Sequence, residues 1–71
     1  MDANALKTPE QILQAALARE EDARDFYRQL AIHCHVDFVK ELLEKLGNEE
    51  AKHVALIQGM LTRLHLGENI V

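Results

Sequence analysis

Apolar residues recur at a regular spacing through the first half of the chain. Their steps alternate between three and four residues, which is the spacing of an amphipathic helix that packs in a bundle. Thr8 can cap this helix, Pro9 suits its first position, and Gln11 can complete a capping box with Thr8. A first helix is therefore predicted at about residues 9–33. Its apolar seam consists of Leu13, Ala16, position 20, Ala23, Tyr27, Leu30 and Cys34.

A second stretch with the same spacing occupies most of the remaining chain. The segment 33–37 separates the two stretches, and Asp37 can cap the helix that follows. Gly67 offers the usual stop at the C-terminal end of that helix. A second helix is predicted at about residues 37–65, and residues 1–7, which have no periodic pattern, are predicted to form a flexible tail. The second apolar seam consists of Val36, Val39, Leu43, Leu46, positions 50 and 53, Ile57, Met60 and Leu64.

These two helices predict an all-α fold with a single domain over residues 1–71. The chain is 48% hydrophobic with one proline and three glycines, a composition that favours helices over a turn-rich β fold. Gly47 and Gly59 inside the second helix are interpreted as points of close helix approach. A chain of 71 residues with one cysteine has little core and no internal disulfide. We therefore expect an antiparallel two-helix hairpin that dimerises into a four-helix bundle.

The charge pattern argues against several classes of protein. The formal net charge is -4, and acidic and basic residues are interleaved, so the basic stripe required for nucleic-acid binding is missing. No apolar stretch approaches the roughly 18 residues of a membrane span, and residues 1–7 lack the pattern of a signal peptide. The lone Cys34 suits a reducing interior. Cytoplasmic residence is expected, with neither nucleic acid nor membrane as a partner.

Three polar residues interrupt the apolar seams. Glu20 interrupts the first seam, and Glu50 and His53 interrupt the second, each where an apolar side chain is expected. A buried carboxylate is costly unless it is paired or bound to a metal. Glu20 and Glu50 are equally distant from a turn centred near residue 35, so they should face each other, and His53 follows Glu50 by one helical turn. The pattern predicts a metal site formed by these three residues.

Two copies of the chain would supply the ligands of a di-iron centre. Such a centre in a helical bundle takes a Glu from each of two helices and a Glu-x-x-His from each of the other two. One chain supplies Glu20 and the pair Glu50 and His53, so a homodimer or higher homo-oligomer completes the set. The four carboxylates balance the charge of two Fe(II) ions per dimer, with manganese or zinc as substitutes.

Two motifs resemble the ferritin-like superfamily, specifically its rubrerythrin branch and the short two-helix encapsulated ferritins. Residues 20–27 (EEDARDFY) are similar to that family's Glu, followed by Ala three residues on and by an aromatic-Tyr pair. Residues 46–53 (LGNEEAKH) are similar to its Glu-Glu-x-x-His signature. The resemblance covers roughly residues 9–65 and implies that the dimer is a ferritin-like four-helix bundle.

The resemblance also implies roles for individual residues. Glu20 and Glu50 would be carboxylate ligands, with Glu50 bridging, and His53 would be the terminal nitrogen ligand. The implied activity is a ferroxidase-type oxidation of Fe(II) by dioxygen or peroxide. The four cysteines of a rubredoxin-like electron-transfer module are not present, and residues 67–71 show no clear encapsulation tail. Residence inside a protein compartment stays an alternative within the cytoplasm, which the visible tail does not support.

Other residues with metal or redox chemistry have simpler interpretations. Tyr27, seven residues after Glu20 on the first seam, is a core aromatic that could also hydrogen-bond a ligand carboxylate or act as a redox-active phenol. The His-Cys-His segment at 33–35 consists of adjacent residues whose side chains diverge, so it is interpreted as part of the turn and not as a ligand set. Cys34 is interpreted as a small buried hydrophobe.

A different class of function fits the same three residues. Glu20 and His53 could act as buried polar groups that set the register of a metal-free hairpin, which would dimerise or dock on a partner. A third interpretation keeps a bound metal but makes it structural, so that it stabilises the fold without turnover.

Overall fold

The computed structural model describes residues 8–67, which form two α-helices joined by a short turn. Helix α1 spans Pro9–His33 and helix α2 spans Asp37–His65. The two helices pack against each other as a hairpin, which confirms the predicted all-α two-helix fold. The predicted tail at residues 1–7 lies outside the described residues, as do residues 68–71.

The outer ends of both helices follow local sequence signals. Thr8 Oγ1 accepts a hydrogen bond from the Gln11 N–H, and Gln11 Oε1 accepts one from the Thr8 N–H, each at 3.1 Å. Pro9 occupies the first helical position without loss of a hydrogen bond, because the N–H that proline lacks would have no partner within the helix there. Gly67, just after α2, has a φ of 79°, the left-handed conformation that glycine adopts without strain. The predicted capping box and the predicted stop are both present.

The start of α2 differs from its prediction. Asp37 is not the cap: Val36 is the N-cap residue, and its carbonyl accepts hydrogen bonds from the N–H groups of Val39 and Lys40. Asp37 is the first helical residue, where its carboxylate stabilises the positive end of the helix dipole. Cys34 and Val36 have extended backbones, and the Cys34 thiol donates to the Val36 carbonyl at 3.6 Å. The turn is thus short and extended.

The hairpin buries few side chains by itself. Within residues 8–67, the buried apolar residues are Ala31, Val54 and Leu61, together with Gly47. The molecule measures 51 × 25 × 12 Å, so it is a slab about one helix thick. None of the helices in the described part of the chain is apolar over a stretch long enough to span a membrane.

Large apolar side chains remain exposed on one side of the slab, called here the open face. At 3.6 residues per turn, this side lies about a third of a turn away from the residues that contact the opposite helix. The same is true of both helices, so these exposed apolar residues share one surface. The open face consists of Ile12, Phe26 and Leu30 from α1 and of Leu42, Leu56 and Met60 from α2, which are 40% to 69% exposed.

The predicted apolar seams coincide only in part with the contact between the helices. Leu30 and Met60 belong to the seams but are 40% and 47% exposed, whereas Val54 and Leu61 lie outside the seams and are buried. Each helix has two adjacent apolar surfaces, one that contacts the other helix and one that belongs to the open face. The predicted seam lies between these two surfaces, because the spacing of apolar residues reflects both of them. A helix with two such surfaces suits a bundle in which it has two neighbours.

The two glycines of α2 have different surroundings. A Cβ at Gly47 would lie 3.5 Å from the Arg28 Cγ and 3.6 Å from the Tyr27 Cβ, which are ordinary contact distances against α1. A Cβ at Gly59 would meet nothing within 4 Å. The prediction of close helix approach agrees with the surroundings of Gly47. It is wrong for Gly59, which is exposed and faces away from α1.

Replacing Gly59 by Ala should raise the free energy of unfolding by about 1 kcal/mol, because alanine loses less backbone entropy in a helix than glycine. Urea unfolding at one fixed protein concentration, followed by circular dichroism, measures the change. The reverse exchange Ala55→Gly, at another exposed position of α2, should lower the free energy by a similar amount. Equal stability of Gly59→Ala and wild type would contradict the open surroundings of this residue.

Candidate metal centre

Glu20, Glu50 and His53 meet in one cluster between the two helices. The Nδ1 atom of His53 lies 3.3 Å from Glu20 Oε2 and 3.3 Å from Glu50 Oε2. The two carboxyl groups also lie close to each other. One ligand atom from each residue lies within 4.8 Å of the others, so small side-chain rotations would let all three contact a single cation.

The helix register explains why these residues meet. Glu20 lies near the middle of α1 and Glu50 near the middle of α2, at about the same distance from the turn. His53 follows Glu50 by one helical turn and points to the same side. The structure therefore brings together the three residues that the sequence singled out, while their roles as metal ligands stay a prediction.

Neighbouring acidic residues have other partners. Glu49 accepts a hydrogen bond from the Lys52 ammonium group at 3.2 Å, and Asp25 accepts one from Arg24 Nε at 2.9 Å. Of the adjacent pair Glu49 and Glu50, only Glu50 therefore faces α1. Across residues 8–67, the cluster is the one group of three or more His, Cys, Asp or Glu side chains arranged to hold a metal ion.

The cluster lies on the border between the helix contact and the open face. The side chain of Glu50 is 21% exposed, that of Glu20 is 32% exposed, and that of His53 is 48% exposed. Exposure thus increases from the helix contact towards the open face, where His53 lies. A molecule bound on the open face would cover His53 and exclude water from the cluster.

The three residues change one another's protonation. The close approach of the two carboxyl groups raises the pKa of Glu50 and lowers that of Glu20. Hydrogen bonds to Glu50 and Glu20 raise the pKa of His53, because carboxylates stabilise the imidazolium. The positive charge of Arg19 further lowers the pKa of Glu20. Sequence reasoning missed Arg19, although it is adjacent to Glu20.

Tyr27 lies on α1, about two helical turns after Glu20. Its Cβ packs against α2 at Gly47, and its ring centroid is 5.6 Å from that of Phe26. Within residues 8–67, the Tyr27 hydroxyl makes no hydrogen bond to the three cluster residues. Its packing agrees with a core aromatic, and its role beside a bound metal stays a prediction.

Comparison with known proteins agrees with this geometry. The family model described as rubrerythrin matches residues 11–71, which include all three cluster residues. The chain belongs to the rubrerythrin family. This confirms the predicted resemblance to the ferritin-like superfamily, and rubrerythrin-family proteins generally bind iron. No curated protein and no solved structure matches the chain.

In iron-free protein, His53 should titrate above pH 6.5, and Glu50→Gln should return its pKa towards that value, because Glu50 makes the largest contribution. NMR of the imidazole ring over a pH series measures both. Because the raised pKa belongs to the folded state, the imidazolium stabilises the fold fully below about pH 6.5, and this contribution is lost as pH rises through the raised value.

The matched control for this titration is Glu41→Gln. Glu41 is an exposed carboxylate on the same helix, and its loss should leave the His53 pKa unchanged. A His53 pKa at or below 6.5 in the iron-free wild type would contradict the contacts with both glutamates.

Proposed function

We propose that two copies of the chain bind two iron ions between them and oxidise Fe(II) with dioxygen or peroxide, as a ferroxidase. The observation that carries this proposal is the cluster of Glu20, Glu50 and His53, whose ligand atoms lie within 4.8 Å of one another. Membership of an iron-binding family supports the choice of metal.

The chemistry of the donor set fits iron. Carboxylate oxygen and imidazole nitrogen together suit Fe(II), while manganese and zinc can compete for the same ligands. Two copies contribute four carboxylates in all, whose negative charge balances two divalent ions. One copy contributes three ligand side chains, so a single hairpin holds half of the proposed centre.

A second copy of the chain is the partner that the open face favours. Burial of apolar surface contributes roughly 25 cal/mol per Å², and the slab has large apolar side chains exposed on that face alongside His53. A two-fold arrangement would cover these side chains and bring a second cluster against the first. Dimerisation and completion of the centre would then be the same event.

Each residue has a distinct task in the proposed reaction. Glu20 and Glu50 would neutralise the charge of the metal, and metal binding would compete with protonation of Glu50, whose pKa is raised. His53 would bind through Nδ1, the nitrogen that faces both carboxylates. The other ring nitrogen, Nε2, could then donate a hydrogen bond to an acceptor, and this bond would fix the orientation of the ring. When bound, the iron pair supplies the electrons that reduce the oxidant.

Replacing Glu50 by Ala should slow Fe(II) oxidation by at least about tenfold, because loss of a group that merely supports a ligand already has an effect of that size. Oxidation is followed by the absorbance of the Fe(III) product after Fe(II) is added to the metal-free protein in air. Glu41→Ala, which removes an exposed carboxylate from the same helix, should oxidise Fe(II) at the wild-type rate. Equal rates for Glu50→Ala and wild type would end the proposal.

A charge on the open face should prevent dimerisation. Leu42→Glu would place a carboxylate in the proposed interface, and sedimentation at fixed concentration should show a shift from dimer to monomer. Ile32→Glu is the matched control, because Ile32 is 63% exposed against 54% for Leu42 but does not belong to the open face. If both variants remain dimeric, the partner does not bind on the open face.

Metal content separates the proposal from its alternatives. Protein purified without chelator should contain about two irons per dimer. A metal-free interaction module, which the exposed apolar face also fits, would contain none after reconstitution with iron. A structural metal would raise the melting temperature without any oxidation. Cytoplasmic residence is part of the proposal and is supported by the free thiol of Cys34.

A further inference from the structure

A groove of about 440 Å³ lies between the helices on the side away from the open face. Because it is on this side, a second copy bound on the open face would leave the groove accessible. Its size falls within the range of small-molecule sites in proteins. The groove is lined by Arg28, Ala31 and Ile32 from α1 and by Lys40, Glu44 and Asn48 from α2.

One part of the groove lining is apolar. Ala31 is 5% exposed, and its neighbour Ile32 is 63% exposed. When an apolar group covers an isoleucine that is mostly exposed to water, burial of the apolar surface lowers the free energy. The groove lining therefore includes one buried apolar residue and one apolar side chain available to a ligand.

Two cations, one from each helix, border the same groove. Within residues 8–67, neither Arg28 nor Lys40 makes an ion pair or a hydrogen bond through its side chain. The Cγ of Arg28 would be 3.5 Å from a Cβ at Gly47, so its stem lies against α2 where no side chain is present. Glu44 is the one acidic residue of the lining, and two cations against one carboxylate leave a net positive charge.

We propose that this groove binds a small organic anion, a carboxylate with a short aliphatic tail. Arg28 and Lys40 hold the carboxylate, because charge-assisted hydrogen bonds are the strongest that these side chains can make. Asn48 can donate a further hydrogen bond, and Ile32 and Ala31 contact the aliphatic tail. The site is separate from Glu20, Glu50 and His53 and does not depend on the proposed iron chemistry.

Hexanoate is a suitable probe for the iron-free protein, and NMR chemical shifts report its binding. Saturable shifts are expected at Arg28, Ile32 and Lys40. The double variant Arg28→Gln/Lys40→Gln should weaken binding by about tenfold or more, because two charge-assisted hydrogen bonds are lost. Glu44→Gln should strengthen binding, since it removes the carboxylate that repels the anion.

The controls test each part of the proposal. Lys45→Gln removes an exposed charge of α2 outside the groove and should bind hexanoate like the wild type. Hexanol lacks the charge and inorganic phosphate lacks the tail, so each should bind more weakly than hexanoate. Absence of saturable shifts would overturn the proposal. So would equal binding of hexanoate and hexanol, equal binding of hexanoate and phosphate, or unchanged affinity in a double variant whose helicity is intact.

Discussion

Two glutamates held at the same level on facing helices repel each other unless a proton or a cation lies between them. In the hairpin, the imidazole of His53 lies 3.3 Å from a carboxylate oxygen of each glutamate and supplies a positive charge between them when it is protonated. The arrangement is costly for a structure with so little core, because half-buried carboxyl groups take the place of apolar contacts at its centre. A bound divalent cation would offset this cost, because it would neutralise both carboxylates.

The position of the cluster connects chemistry to assembly. His53 is the most exposed of the three residues and lies on the surface that also carries the exposed apolar side chains. A partner on that surface would exclude water from the ligands and supply the apolar contacts that the hairpin lacks. The proposed iron centre and the proposed dimer therefore depend on the same surface, and the metal-free form should be the less strongly assembled one.

The two sides of the hairpin differ in character. The open face is apolar around a polar cluster, whereas the opposite side has a groove bordered by Arg28 and Lys40 with Ile32 beside them. In a four-helix bundle, the first side would become interior and the second would remain surface. A single pair of helices can in this way support both an interior centre and an external binding site.

The sequence by itself determined the helices, the capping box at Thr8, the stop at Gly67 and the pairing of Glu20 with Glu50 and His53. These features depend on short-range geometry, namely hydrogen bonds within one turn and equal distances from a turn. The contact between the helices was decided only by the tertiary structure. The seam through Leu30 and Met60 averages two apolar surfaces, and spacing cannot tell which one meets the other helix. The surroundings of Gly59, the packing of Tyr27 and the groove at Arg28 likewise depend on how α1 lies across α2.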